Sequence, residues 1–149
     1  MPKIRLATIE DFPALLALEE ACYDEARRSS KWTLRNSLRS SHQEVWVRGN
    51  PIHATLVLWR HRDALRIYNV AVHPDFEGQG IGRTLLALTE ERARALGAVK
   101  VTLEAAAALK DLVRWYEHHG YRIVRTRTDY YGPSKHAVRM EKLLNAGAP

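Results

Sequence analysis

The sequence predicts a mixed α/β domain with a mostly antiparallel sheet of about seven strands, flanked by about four helices. Three observations carry this. Residues 44–72 run through three strand-like stretches separated by turn residues, the signature of an antiparallel meander. Residues 69–97 pass from a strand through a glycine-rich loop into an amphipathic helix, and the strand that follows makes a strand–helix–strand crossover. Two further strand-like runs close the chain.

Taken in order, Ile4–Ala7 reads as a short strand, and Thr8-Ile9-Glu10-Asp11 offers a capping-box-like start to a helix whose apolar face includes Phe12, Leu15, Leu16 and Cys22. A second short helix begins near Lys31-Trp32-Thr33 and runs to about Ser40. The meander comprises 44–48, a turn at Gly49-Asn50-Pro51, 52–60, a turn around Arg62-Asp63, and 65–72. Pro74 stops its last strand, since proline has no N–H to give the ladder. Ile81, Leu85 and Leu88 mark a helix that ends at Gly97, a suitable C′ glycine. A strand at 99–104, a helix at 109–119 stopped by Gly120, and strands at about 121–128 and 136–143 complete a single domain over residues 1–144, with 145–149 as a short tail.

Composition narrows the function. With 46% hydrophobic and 27% charged residues in 149, the chain has enough apolar surface to fill a core. Its apolar stretches are broken by charge well short of the ~20 residues of a membrane span, and Met1-Pro2-Lys3-Ile4-Arg5 lacks the features of a signal peptide. The expectation is a soluble, cytoplasmic protein with no membrane partner. One cysteine, Cys22, makes no internal disulfide, and no Cys/His spacing suggests a metal site. The net charge of +6 favours anionic partners, either nucleic acid or a multiply phosphorylated cofactor, but the Lys and Arg are scattered.

The segment from Asn69 to Leu86 holds strand, stop, loop and helix start in succession. Alternating Gly78, Gly80 and Gly82 let the backbone approach a ligand closely, and N–H groups at a helix start point toward an anion, with Arg83 adding charge. A pyrophosphate suits such a seat; glycines serving turn geometry alone are the competing explanation. The spacing matches neither a Walker loop nor the dinucleotide fingerprint.

This stretch resembles motif A of the GNAT superfamily of acyl-CoA-dependent N-acetyltransferases, which reads Gln/Arg-x-x-Gly-x-Gly/Ala after a Val/Ala-rich strand and a His-Pro or Asp-Pro pair. Here the matching residues are Val70-Ala71-Val72, His73-Pro74 and Glu77-Gly78-Gln79-Gly80-Ile81-Gly82, with Glu77 departing from the usual Gln or Arg. The resemblance implies that Val70, Ala71 and Val72 bind the pantetheine arm and acetyl group through the main chain. It likewise implies that Gly78, Gln79, Gly80, Ile81, Gly82 and Arg83 hold the pyrophosphate of acetyl-CoA.

Alternation along 99–104 puts Lys100, Thr102 and Glu104 on one strand face, away from Val99, Val101 and Leu103. Tyr116 follows in the next helix, so both groups could reach a cleft where the two central strands part. Taken singly, Glu104 reads equally as a solvated carboxylate and Tyr116 as a core ring. Leu103-Glu104 and Tyr116-x-x-x-Gly120-Tyr121 are similar to the ribosomal-protein alanine N-acetyltransferase branch of the superfamily, as are Trp32-Thr33, Asp129-Tyr130-Tyr131 and Met140-x-x-Leu143. That likeness covers roughly residues 3–144 and implies Glu104 as the base toward the amine, Tyr116 as the acid toward the thiolate, and Tyr130 and Tyr131 beside the acceptor. Leu109 and Ala106 stand where that branch has Asn and often Arg. The chemistry is self-consistent, because an α-amine titrates near ~8 and needs a proton acceptor, while a phenol near ~10 can return a proton to sulfur.

Other residues receive quieter readings: Cys22 as packing, His73 as turn geometry, His118-His119 as a helix end rather than a metal site, and Arg27, Arg28, Arg35 and Arg39 as a solvated face or a guide for an acidic acceptor. The expectation is acetyl transfer to a primary amine. A protein amino terminus, with ribosomal proteins among the candidates, is preferred over a small amine such as an amino acid, polyamine or aminoglycoside. The rival classes are a non-catalytic acyl-CoA-binding module and, less in keeping with the motifs, a nucleic-acid binder. Monomer and homodimer both remain open.

Overall fold

A computed structural model of the protein describes residues 2–25 and 28–144. Its elements are β1 (Ile4–Leu6), α1 (Phe12–Cys22), α2 (Lys31–Arg39), β2 (Gln43–Arg48), β3 (Ala54–His61), β4 (Ala64–Val72), α3 (Ile81–Ala95), β5 (Lys100–Ala106), α4 (Lys110–His118), β6 (Arg122–Arg127) and β7 (Ala137–Leu143). The strands form one sheet in the order β1-β2-β3-β4-β5-β7-β6. Pairing is antiparallel for β1–β2, β2–β3, β5–β7 and β6–β7, and parallel for β4–β5, whose α3 crossover is what a parallel neighbour requires. The β4–β5 register runs from Ala64↔Lys100 to Ile67↔Leu103.

The chain gathers into two compact units, one from residues up to Arg60 with Tyr68–Thr89, the other from His61–Ile67 with residues from Glu90 onward. Strand β4 and helix α3 each contribute to both. In the first unit, a 3-10 turn at Ile9–Asp11 leads into α1, and the Asp11 carboxylate accepts the Thr8 main-chain N–H at 2.8 Å. Arg5 grips the same carboxylate at 2.8 and 2.9 Å, and that pairing pulls Asp11 down to about 2. Ser30 caps α2 by accepting the Thr33 N–H at 3.0 Å. Leu15, Leu34, Val45, Val47 and Val57 form the core between these helices and strands, each full burial worth about 1.5–3 kcal/mol. Arg28 bonds the Tyr23 carbonyl at 3.0 Å and Arg35 lies 4.7 Å over the Phe12 ring, so neither is simply solvated. Arg27 and the tail at 145–149 lie outside the described residues.

The second unit is built on β5, which is covered on both faces: Val101, Thr102 and Leu103 are all fully buried. The polar face of Lys100, Thr102 and Glu104 is therefore largely covered, with Thr102 fully buried and Lys100 and Glu104, as whole residues, half-buried. Alternation assigns side chains to a face but is blind to what packs on it. Val113 and Tyr116, three positions apart on α4, turn inward. Lys142 pairs with Glu90 at 3.1 Å and donates to the His119 carbonyl at 2.9 Å, capping the end of α4. Strand β6 is outermost; Arg122 to Thr126 are exposed, and the register with β7 shifts between Ile123 and Arg125.

Candidate functional site

The glycine loop takes the geometry its composition calls for. Pro74–Phe76 forms a 3-10 turn, the His73 ring accepts the Asp75 N–H at 3.1 Å, and α3 begins at Ile81. Gly78 and Gly80 both sit at φ +79°, a conformation that side chains rarely adopt. A Cβ built on Gly78 would meet nothing within 4 Å, and one on Gly80 would meet only the Arg83 guanidinium at 3.4 Å. The loop is therefore a left-handed, open cradle rather than a packed turn. Gly80 contributes its carbonyl to the Thr84 N–H and hydroxyl, each at 3.1 Å, which starts the helix. The first N–H groups of such a helix have no intrahelical partner and suit a phosphate. Gln79 and Arg83 are exposed, whereas the Ile81 side chain is buried, so Ile81 offers its main chain only. These groups fit a diphosphate.

Upstream, His73 donates its N–H to the His53 carbonyl at 2.8 Å, which places residues 73 and 71 of the extended chain toward β3 and Val70 and Val72 toward the opposite edge. The Val70 and Val72 carbonyls already have neighbours. The Tyr23 hydroxyl lies 2.7 Å from Asn69 Oδ1 and 3.1 Å from the Val70 oxygen, two acceptors for its one proton. The Cys22 thiol lies 3.4 Å from the Val72 oxygen, and burial pushes that thiol up, consistent with packing rather than nucleophilic chemistry. Tyr23 and Asn69 escape a motif search because neither belongs to the glycine loop.

In the second unit, Glu104 is not a solvated carboxylate: its side chain is 3% exposed and three guanidinium groups surround it. Arg66 Nη2 lies 3.0 Å from Oε1, while Arg139 and Arg127 approach Oε2 at 3.3 and 3.5 Å. Arg139 is the direct cross-strand partner of Glu104 in the β5–β7 register, which puts the two side chains on the same sheet face. Oε1 has no partner in hydrogen-bond geometry, which leaves a buried acceptor atom. Arg66, Arg127 and Arg139 come from three different strands, so no local spacing announces them.

Tyr130, Tyr131 and Tyr116 join this cluster. Arg66 donates to the Tyr130 hydroxyl at 2.6 Å, and Arg127 lies 5.1 Å over the Tyr130 ring. The Tyr131 hydroxyl donates to the Glu104 carbonyl at 3.3 Å. Burial, reinforced by the Tyr131 phenol, pushes Tyr116 up to about 12; burial together with Tyr130 and Glu104 does the same for Tyr131. The four residues expected for acid–base work and for the acceptor thus fall together in the second unit, and the nine residues expected to form the seat all fall in the first. Among the described residues no group of three or more His, Cys, Asp or Glu side chains could hold a metal, and no helix is long and apolar enough to cross a membrane.

Residues 41–123 match the acetyltransferase (GNAT) domain family. Among curated proteins, a mycothiol acetyltransferase of Propionibacterium freudenreichii is 38% identical over 71 residues, 48% of this chain and 22% of that protein. The [ribosomal protein bS18]-alanine N-acetyltransferase of Salmonella typhimurium is 33% identical over 69 residues, 46% of this chain and 47% of that protein. The matches thus span less than half of these relatives' length. Among solved structures, the ribosomal-protein-S18-alanine N-acetyltransferase of Escherichia coli superposes with a TM-score of 0.86 at 22% identity, covering 99% of this chain and 97% of that one, a likeness of fold.

Proposed function

The chain belongs to the GNAT acetyltransferase family, and from that premise we propose that it moves an acetyl group from acetyl-CoA to a primary amine, the amine being a protein amino terminus. The observation that carries the reading is the open glycine cradle: two left-handed glycines, one with empty space over its Cα, at the start of a helix. When bound, acetyl-CoA supplies a thioester carbonyl open to attack. The main chain at Gly78–Gly82, with the exposed Arg83, holds the diphosphate, and the edge of β4 at Val70–Val72 orients the pantetheine arm. Glu104 accepts the amine proton as the nucleophile engages, at Oε1, which Arg66 meets as an ion pair but not in hydrogen-bond geometry. Tyr116, whose phenol stays protonated well above neutrality, returns a proton to the departing sulfur. Tyr130 and Tyr131 flank the acceptor. Neither metal nor covalent enzyme intermediate enters this scheme, which belongs in a reducing cytoplasm, in keeping with the single Cys22.

The test has two arms. Calorimetry with coenzyme A reads the cradle, and a transfer assay compares peptides beginning with alanine against amino acids, polyamines and aminoglycosides. Binding together with peptide acetylation is expected. Failure to bind coenzyme A overturns the reading, and turnover confined to small amines overturns the choice of acceptor.

A further inference from the structure

Before it reacts, an acceptor amine with a pKa near ~8 is mostly an ammonium at neutral pH, and it needs an anion to meet it. Glu104 is poorly placed for that first encounter, because three guanidinium groups surround it and repel a cation. Glu19, in the first unit, has the opposite surroundings. It is 4% exposed on α1, and its Oε2 accepts the Ser29 main-chain N–H at 3.2 Å while Oε1 accepts the Asn69 amide at 3.3 Å. Among the described residues no cationic side chain pairs with it. A carboxylate has about four acceptor positions, so two are still open, and a buried negative charge without a cation is costly to keep.

Glu19 borders a small cavity walled by Leu15, Leu34 and Val57 as well as by Ser29, Ser37 and Asn69. Asn69, which lines the cavity, immediately precedes the strand edge of the proposed seat. Tyr23 reaches both Asn69 Oδ1 and the Val70 carbonyl, the point where the proposed seat ends in its acyl group. From the buried carboxylate that no cationic side chain among the described residues pairs with, the cavity it borders and this adjacency, we infer that Glu19, with Asn69, binds the ammonium of the acceptor and delivers a small-headed primary amine to the β4 edge. Glu19 is thus a specificity-determining and positioning residue, distinct from the group that removes the proton. The inference rests on the transfer reading above.

The experiment is a cycle between protein and ligand. An alanine-initiated peptide and its propionyl counterpart, identical except that it lacks the amine, are titrated calorimetrically into the coenzyme A-saturated protein and into Glu19→Gln. The wild type is expected to bind the amine peptide about tenfold or more tightly than the propionyl peptide, as a hydrogen bond to a charged partner implies. Glu19→Gln, which keeps the size and one acceptor oxygen, loses that preference while retaining its affinity for coenzyme A, and Glu19→Asp keeps part of it. A purely structural role would weaken both peptides alike. Equal affinities in the wild type, an undiminished preference in Glu19→Gln, or binding of neither peptide overturns the inference. Loss of coenzyme A binding by the wild type overturns the transfer reading instead.

Discussion

Two glycines separate what a glycine does for its own backbone from what it does for a ligand. Gly78 lies in the cradle at φ +79°, and Gly97 follows the end of α3 at φ +75°. A Cβ on either would meet nothing within 4 Å, so the protein itself presents the same steric situation to both. Alanine at each must then pay the same left-handed strain, about 1–2 kcal/mol, which for a chain of this size lowers the melting temperature by roughly 2–8 °C. The ligand breaks the symmetry. A methyl group on Gly78 enters the space assigned to the diphosphate, and overpacking of about 1–3 kcal/mol corresponds to roughly 5- to 150-fold weaker coenzyme A binding. Gly97→Ala leaves that affinity unchanged. Thermal unfolding and calorimetry on both variants give the comparison. Matching melting shifts with matching coenzyme A affinities would refute the assignment of the cradle, because the empty space at Gly78 would then have no occupant.

Other expectations are more direct. Glu104→Gln and Tyr116→Phe each lower kcat by about 10²–10⁴-fold while leaving coenzyme A affinity intact, read by steady-state kinetics and calorimetry; unchanged turnover removes the residue from the scheme. Leu109 occupies the N-cap of α4 without a side-chain hydrogen bond, so Leu109→Asn is expected to stabilise the fold by about 0.5–2 kcal/mol in urea unfolding. Asp11 is pulled below its ordinary value, so the stability it contributes is present above about pH 4 and lost as pH falls through about 2; Asp11→Asn flattens that acid limb. Tyr116 and Tyr131 shift the other way, to about 12, so their contribution is complete below about pH 10 and lost as pH rises through 12. Denaturation between pH 9 and about 12, with each Tyr→Phe variant flattening the slope, checks the sign.

Local features of this molecule were readable from its residues, and non-local ones were not. The Thr8 and Asp11 turn, the second helix near Lys31, the meander and the glycine loop each depend on residues within a few positions of one another, and observed ends fall within about two residues of the expected ones. The insertion of β7 between β5 and β6 is different, because periodicity carries no information about which strand lies beside which. That order is what brings Arg139 and Arg127 to Glu104 and turns an expected strand-end carboxylate into the hub of an arginine cluster. Glu19 was hidden for a related reason: on α1 it reads as one more helical charge, and only the fold around it removes it from water.

The outermost strands also bear on how the molecule behaves in a crowd. An open strand edge is an invitation for another chain to extend the sheet indefinitely, and Ile123 and Val124 on β6 would sweeten it. Their exposed neighbours Arg122 and Arg125 set like charge against like in any such stacking, and the slipped register bends the edge out of line. At the far side β1 is only three residues long, too short a template to recruit a partner. Both margins of the sheet thus carry features that oppose edge-to-edge pairing, whatever ligand the rest of the fold holds.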